Sequence, residues 1–291
     1  MPEIIIVKNE AEAGEIYGRC VADLIKAKPN AVLGLATGSS PLAAYQALAK
    51  IVHDESIDVS QVSGYALDEY IGLPLTHPES YHATIHRTVV EPLGLDPSKV
   101  HVPGDVLNGT PLEDGDKVAL AGPAYDRAIE AAGGIDVQIL GIGTDGHVGF
   151  NEPGSSLASG TRVKTLAEQT RVDNARFFDN DINQVPTHCI TQGIGTIMKA
   201  RHLVLLAFGA GKGRGHRGDR RRRRLRILPG LRAADASARH DYRGRGGCEP
   251  PASQGLLPLR IHPQAGLAGH LSYWLAPLVK GGQPRGGIAY V

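Results

Sequence analysis

Short apolar runs alternate with helical patterns along the first 212 residues, and this alternation constrains the fold more than any other feature. Residues 3–7 read as a strand. After them Ile16, Cys20 and Leu24, with Val21 and Ile25, recur at helical spacing until Pro29-Asn30 ends the run. Residues 31–36 form a second strand candidate, and a helix opening at Pro41 carries Leu42, Tyr45, Leu48 and Val52 along one side. Further strands fit 64–67, 135–141 and 202–208, and a helix with Tyr125 and Ile129 precedes Gly133-Gly134. Strands interleaved with helices predict an α/β fold, an open and mostly parallel sheet with helices on both faces.

Beyond Lys212 the pattern stops. The formal charge of +1 hides this break: residues 213–291 carry 15 of the 31 basic and 4 of the 30 acidic residues, a net of +11 against −10 for residues 1–212. Residues 220–224 are five consecutive arginines, and Gly, Pro, Ala and Arg dominate the rest. Such a composition buries too little apolar surface to offset its ordering entropy, so disorder is expected there. The arginines would attract phosphates, but Tyr242 is the single aromatic early in the segment. A nucleic-acid partner is therefore not expected.

The three cysteines, Cys20, Cys189 and Cys248, are scattered and show no CxxC spacing. They argue for a reducing compartment and against a disulfide framework or zinc site. The run Ile4-Ile5-Ile6-Val7 is too short for a signal peptide, and no stretch approaches membrane-spanning length. A cytoplasmic location without membrane contact is the expectation.

Three motifs carry chemistry. In Leu33-Gly34-Leu35-Ala36-Thr37-Gly38-Ser39-Ser40-Pro41 a strand ends, a small-residue loop exposes its N–H groups and a helix begins. Unpaired N–H donors at a helix start, with the hydroxyls of Thr37, Ser39 and Ser40, suit an anion. An ordinary strand-to-helix turn with a serine cap reads equally well from this stretch alone. In Ala66-Leu67-Asp68-Glu69-Tyr70, two carboxylates end an apolar strand at the edge where open α/β sheets place their sites. Alternation along an extended backbone lets one enter a cleft while the other anchors the loop, but acidic pairs after strands are common and this stretch alone reads better as a solvated loop. In Gly141-Ile142-Gly143-Thr144-Asp145-Gly146-His147-Val148-Gly149-Phe150-Asn151-Glu152-Pro153, a glycine-rich turn holds Asp145, His147 and Glu152. A histidine between two carboxylates has its tautomer fixed and its basicity raised, as acid–base chemistry requires. The same three residue types are also metal ligands.

In this order, GLATGSSP, LDEYIGL followed by HPESY, and GIGTDGHVGFNEPGSSLAS resemble glucosamine-6-phosphate deaminases. The similarity extends through TRVKTL, NARFFDNDINQVP and GIGTIMKA, covering about residues 1–212. The resemblance implies isomerisation and deamination of glucosamine 6-phosphate to fructose 6-phosphate and ammonia, with no cofactor and no metal. Asp68 would move a proton between C2 and C1 of the open-chain sugar. His147 would open the pyranose ring, with Asp145 and Glu152 orienting it. Thr37, Gly38, Ser39 and Ser40 would hold the phosphate, with Arg176 and Lys212 adding charge. Some family members are hexamers activated by N-acetylglucosamine 6-phosphate, and the matching effector positions are Ser155, Arg162, Lys164 and Thr165. A homo-oligomer is implied with them. Alternatives of the same architecture are a phosphosugar lactonase or isomerase, and a non-catalytic phosphosugar-sensing domain.

The resemblance also implies a helix and further strands after Lys212, where this chain has Gly213-Arg214-Gly215-His216 and a G+C-codon composition. Residues 213–291 therefore read as frameshifted, leaving 1–212 as a C-terminally incomplete domain. A missing strand would leave a sheet edge open and favour an insoluble or inactive product.

Overall fold

The computed structural model describes residues 4–104, 115–143, 145–208 and 287–290. Strand β1 (Ile4–Val7) leads into helix α1 (Glu10–Ala27), whose start is capped by Asn9 accepting the Glu12 N–H at 2.9 Å. Strand β2 (Val32–Leu35), helix α2 (Leu42–Asp54), strand β3 (Ser63–Ala66) and strand β4 (Asp68–Tyr70) follow. A helical stretch comprises α3 (Tyr81–Ile85), a π-helical turn at His86–Val90 and α4 (Glu91–Leu93), before strand β5 (Val100–His101). Next come helix α5 (Gly115–Ala131), strand β6 (Val137–Gly141), strand β7 (Arg162–Thr165) and helix α6 (Glu168–Asn174). Strand β8 (His188–Thr191), helix α7 (Ile194–Ile197), strand β9 (His202–Ala207) and strand β10 (Gly287–Tyr290) complete the described elements.

Seven strands form one sheet in the order β1-β10-β9-β6-β2-β3-β5. Pairing is parallel from β9 through β6, β2 and β3 to β5, and antiparallel where β10 joins β1 to β9. The expected α/β fold is the one observed, with helices on both faces. Helices α1 and α2 cover one face over a core that includes Tyr17, Val21, Leu33, Leu48 and Ile139. Helix α5 covers the other, where Tyr125 and Ile129 pack on Val32, Tyr65 and Ile135. A second, antiparallel sheet of order β4-β8-β7 stands beside the carboxyl edge of the first. Beneath it Tyr70, Phe150, Leu166, Phe178 and Cys189 form a separate apolar cluster.

Two expectations shift. The buried face of α1 is rotated by one residue from the one read in the sequence: Gly14, Tyr17, Gly18, Val21 and Ile25 face inward, while Ile16 is exposed. A Cβ at Gly18 would lie 2.9 Å from the Leu48 backbone nitrogen, so the glycines let α1 sit backbone to backbone on α2. Glycines carry no weight in a hydrophobic pattern, which is why the face was misplaced. The expectation of disorder after Lys212 also shifts at its described end, because Gly287–Tyr290 pairs with both β1 and β9. Ladder pairing uses backbone groups and needs only four extended residues, too few to leave a period-2 signal. Residues 209–286, with Lys212, the arginine run and Cys248, lie outside the described residues.

Candidate active site

Three strands that lie side by side, β6, β2 and β3, run parallel, so their carboxyl ends open on one edge. The chain passes from β2 to β3 on one side and later returns to β6 on the other. The edge between β2 and β6 is thus a topological switch point, where open α/β sheets bind ligands. Residues 37–40 follow β2, Asp68 follows β3 by two residues, and the turn carrying Asp145 and His147 follows β6. The parallel register places the three sequence motifs along one edge of the sheet.

After β2, Gly38 takes φ +93°, a left-handed conformation that glycine adopts without strain. The Tyr45 hydroxyl accepts from the Ala36 N–H at 2.9 Å and returns a bond to the Ala36 carbonyl, also at 2.9 Å. This fixes the loop against α2. The helix begins one residue later than the serine-capped reading: Pro41 is the cap residue, no side chain caps it, and the Leu42 N–H bonds the Ser39 carbonyl at 3.3 Å. Thr37 and Ser39 reach the surface, and Ser40 is buried.

The two carboxylates after β3 have different tasks. Glu69 is the anchor: it accepts N–H groups of Tyr70 at 2.7 Å, Tyr81 at 3.0 Å and His82 at 2.8 Å, tying the start of α3 to β4. Asp68, also buried, points from the opposite face of β4. Burial in an apolar setting and the nearby Glu69 charge push its carboxyl up to about 8, against a hydrogen bond from Thr191 that lowers it.

In the turn after β6, the Nδ1 of His147 lies 2.7 Å from the Asp145 carboxylate, which also accepts the His147 backbone N–H at 3.1 Å. Desolvation raises the carboxyl of Glu152, and its hydrogen bond with Asp145 raises it further. Asp145 itself is held below its usual range: the His147 N–H, the Glu152 hydrogen bond and the imidazole outweigh its desolvation. Of the two carboxyls, Glu152 is therefore the one that binds a proton more readily. Thr170 donates to Glu152 at 3.2 Å. The ligand atoms of Asp145, His147 and Glu152 lie within 4.8 Å of one another, a spacing that also permits a metal ion.

Gly149 joins the two halves of the site. Its φ is +57°, and a Cβ there would lie 3.0 Å from the Thr191 hydroxyl and 3.2 Å from the Asp68 carboxylate. The histidine turn therefore rests on Asp68. The Phe150 N–H donates to the Thr191 hydroxyl at 3.2 Å, and the Asn151 amide donates to the Gln192 carbonyl at 2.8 Å.

Other sequence candidates are placed differently. Arg176 is exposed on the turn after α6, its guanidinium 4.7 Å over the Phe177 ring. Lys212 lies outside the described residues. Of the effector candidates, Arg162 and Lys164 share one face of β7, whereas Thr165 is exposed on the other and Ser155 sits in the loop before it. Thr191 went unnoticed in the sequence, since a threonine closing the apolar strand His188–Thr191 has no signature until β8 is paired with β4.

A buried carboxylate after β3 and a carboxylate–imidazole pair after β6, at the switch point of a parallel sheet, are the arrangement of an acid–base enzyme of the sugar-phosphate class. The chain belongs to the family described as glucosamine-6-phosphate isomerases/6-phosphogluconolactonase, whose model matches residues 9–218. It is 97% identical over 212 residues to the glucosamine-6-phosphate deaminase of Bifidobacterium longum subsp. infantis, covering 73% of this chain and 78% of that one. It is 55% identical over 210 residues to the Streptomyces coelicolor glucosamine-6-phosphate deaminase, covering 72% and 77%. Among solved structures, a monomeric glucosamine-6-phosphate deaminase aligns with a TM-score of 0.66 at 37% identity, covering 72% of this chain and 84% of that one. The 6-phosphogluconolactonase of Trypanosoma cruzi, at 19% identity and a TM-score of 0.55 over 73% and 82%, shares the fold. Among the described residues no helix is long and apolar enough to cross a membrane.

Proposed function

We propose that this chain converts glucosamine 6-phosphate and water to fructose 6-phosphate and ammonia. The observation that carries the reading is the buried Asp68 beside the Asp145–His147 turn at one sheet edge. His147, oriented through Nδ1 by Asp145, passes a proton between the anomeric hydroxyl and the ring oxygen and opens the pyranose. Asp68 takes the proton from C2 of the open aldehyde while the 2-ammonium group gives a proton to O1, leaving an enol-amine, and Asp68 returns its proton at C1. The product is an iminium at C2, which water hydrolyses to the ketone and ammonium. A base with a carboxyl near 8 is well matched to a carbon-bound proton. The phosphate lies on residues 37–40, where backbone N–H groups and hydroxyls grip it and its binding energy orients the reacting carbons. Arg176 and Lys212 add positive charge to this phosphate site.

Ammonia release from glucosamine 6-phosphate, followed in a coupled assay beside hydrolysis of 6-phosphogluconolactone, tests the reading. Ammonia without lactone hydrolysis is expected, and the reverse would assign the chain to the lactonase branch. On resemblance we add that the protein is a cytoplasmic homo-oligomer with N-acetylglucosamine 6-phosphate as effector, its phosphate held by Arg162 and Lys164 with Ser155 and Thr165 nearby. The shared face of the two cations supports this, and light scattering and velocity curves with and without effector test it. We also propose that the frame changes near codon 213, on the charge reversal there and the 97% identity that extends over only 212 residues, with turnover lower than that of the intact relatives as its consequence.

A further inference from the structure

Thr191 is fully buried and stands directly opposite Asp68 in the β4–β8 ladder. Paired residues of an antiparallel ladder project from the same face, so the hydroxyl and the carboxylate meet. The hydroxyl oxygen accepts the Phe150 N–H at 3.2 Å. Its single proton then has two acceptors to choose between, the Asp68 carboxylate and the Gln192 carbonyl at 3.5 Å, the latter a long and weak bond. The ionised form of the Asp68 carboxylate, being charged, wins that competition. The ideal Cβ position at Gly149 touches the Thr191 hydroxyl and the Asp68 carboxylate together, so the three groups pack as one unit.

We propose that Thr191 is the positioning residue of the base: the Phe150 N–H orients its hydroxyl, which donates to the Asp68 carboxylate and joins that carboxylate to the turn bearing His147. The role rests on Asp68 acting as the base. It has two consequences. The carboxylate is held at a fixed place relative to the imidazole, and its ionised form is favoured against the burial that opposes it. Without the hydroxyl, Asp68 would hold its proton to higher pH, and less of the enzyme would carry a competent base at a given pH.

The test reads Asp68 directly. Aspartate carboxyl carbons are labelled with carbon-13 in the full chain, and the Asp68 resonance is assigned by its loss in Asp68→Asn. Thr191→Val is expected to raise the Asp68 midpoint by about one pH unit, the size of one hydrogen bond to a charged group. Thr191→Ser, which keeps the hydroxyl, is expected to restore it. Should the valine variant not fold, Thr191→Cys, with its weak donor, is expected to move the midpoint the same way. In turnover, the acidic limb of kcat should move with the midpoint while KM changes little. A midpoint unmoved in folded Thr191→Val, or raised equally by Thr191→Ser, overturns the proposal. Absence of ammonia release by the unsubstituted chain would instead count against the deaminase reading, because the midpoint is measured without turnover.

Discussion

Asp145 stands 2.7 Å from the Nδ1 of His147, so proton exchange between this imidazole and a sugar must run through Nε2. The carboxylate also accepts the His147 backbone N–H, which locks side chain and backbone of the turn to one group. Replacing Asp145 by Asn removes the charge and leaves the tautomer unset. Turnover of glucosamine 6-phosphate is expected to fall about a hundredfold or more, with inorganic phosphate still bound. Steady-state kinetics beside a phosphate titration checks this, and unchanged kcat would remove Asp145 from the ring-opening step.

Gly143 sets the place of the same imidazole. A Cβ on it would collide with the His147 ring carbons. Gly143→Ala should therefore displace the ring, and a misplacement of about 1 Å can cost about a hundredfold in rate. The expected outcome is reduced kcat in a protein whose thermal midpoint stays near that of the parent, read by kinetics and calorimetry together.

Glu69 is a structural counterpart to Asp68. Both its carboxylate oxygens accept backbone N–H groups, so in Glu69→Gln an amide NH₂ would face a donor, the N–H of Tyr70 and Tyr81 or that of His82. Leaving such a buried donor unpaired costs about 1–3 kcal/mol. Denaturant unfolding should show a loss of that order, and stability equal to the parent would contradict the anchoring role.

Asp68 makes stability depend on pH in a particular direction. Its carboxyl titrates at about 8 in the folded chain and near 3.9 when unfolded, at roughly the ordinary aspartate value. Between those values the folded state binds the extra proton, so this group's contribution to stability declines as pH rises from about 4 to 8. Asp68→Asn carries no such charge. Its Tm is expected to gain on that of the parent through this window and to level off above about pH 8. A constant Tm difference across the window would show that Asp68 is not held protonated by burial.

Much of this was legible in the sequence. Strands β2, β3, β6 and β9 and helices α2 and α5 announce themselves through apolar runs and helical spacing, because each buries a large face of the main sheet. The small sheet does not. Strand β4 is three residues with two carboxylates, and β7 carries Arg162 and Lys164, so neither has an apolar pattern to read. The roles of Asp68 and Glu69 were legible as an alternation, but which of the two anchors the loop depends on where α3 returns. Thr191 depends on ladder register, which no local pattern encodes. The short strand Gly287–Tyr290 is set by partners far away in the chain.

The central claim is that a buried carboxylate at position 68 moves the carbon-bound proton. It is tested most directly by ammonia release from glucosamine 6-phosphate in Asp68→Asn, with phosphate binding measured on the same sample. The account requires no detectable turnover with phosphate affinity largely retained. Turnover at the rate of the unsubstituted chain would contradict it.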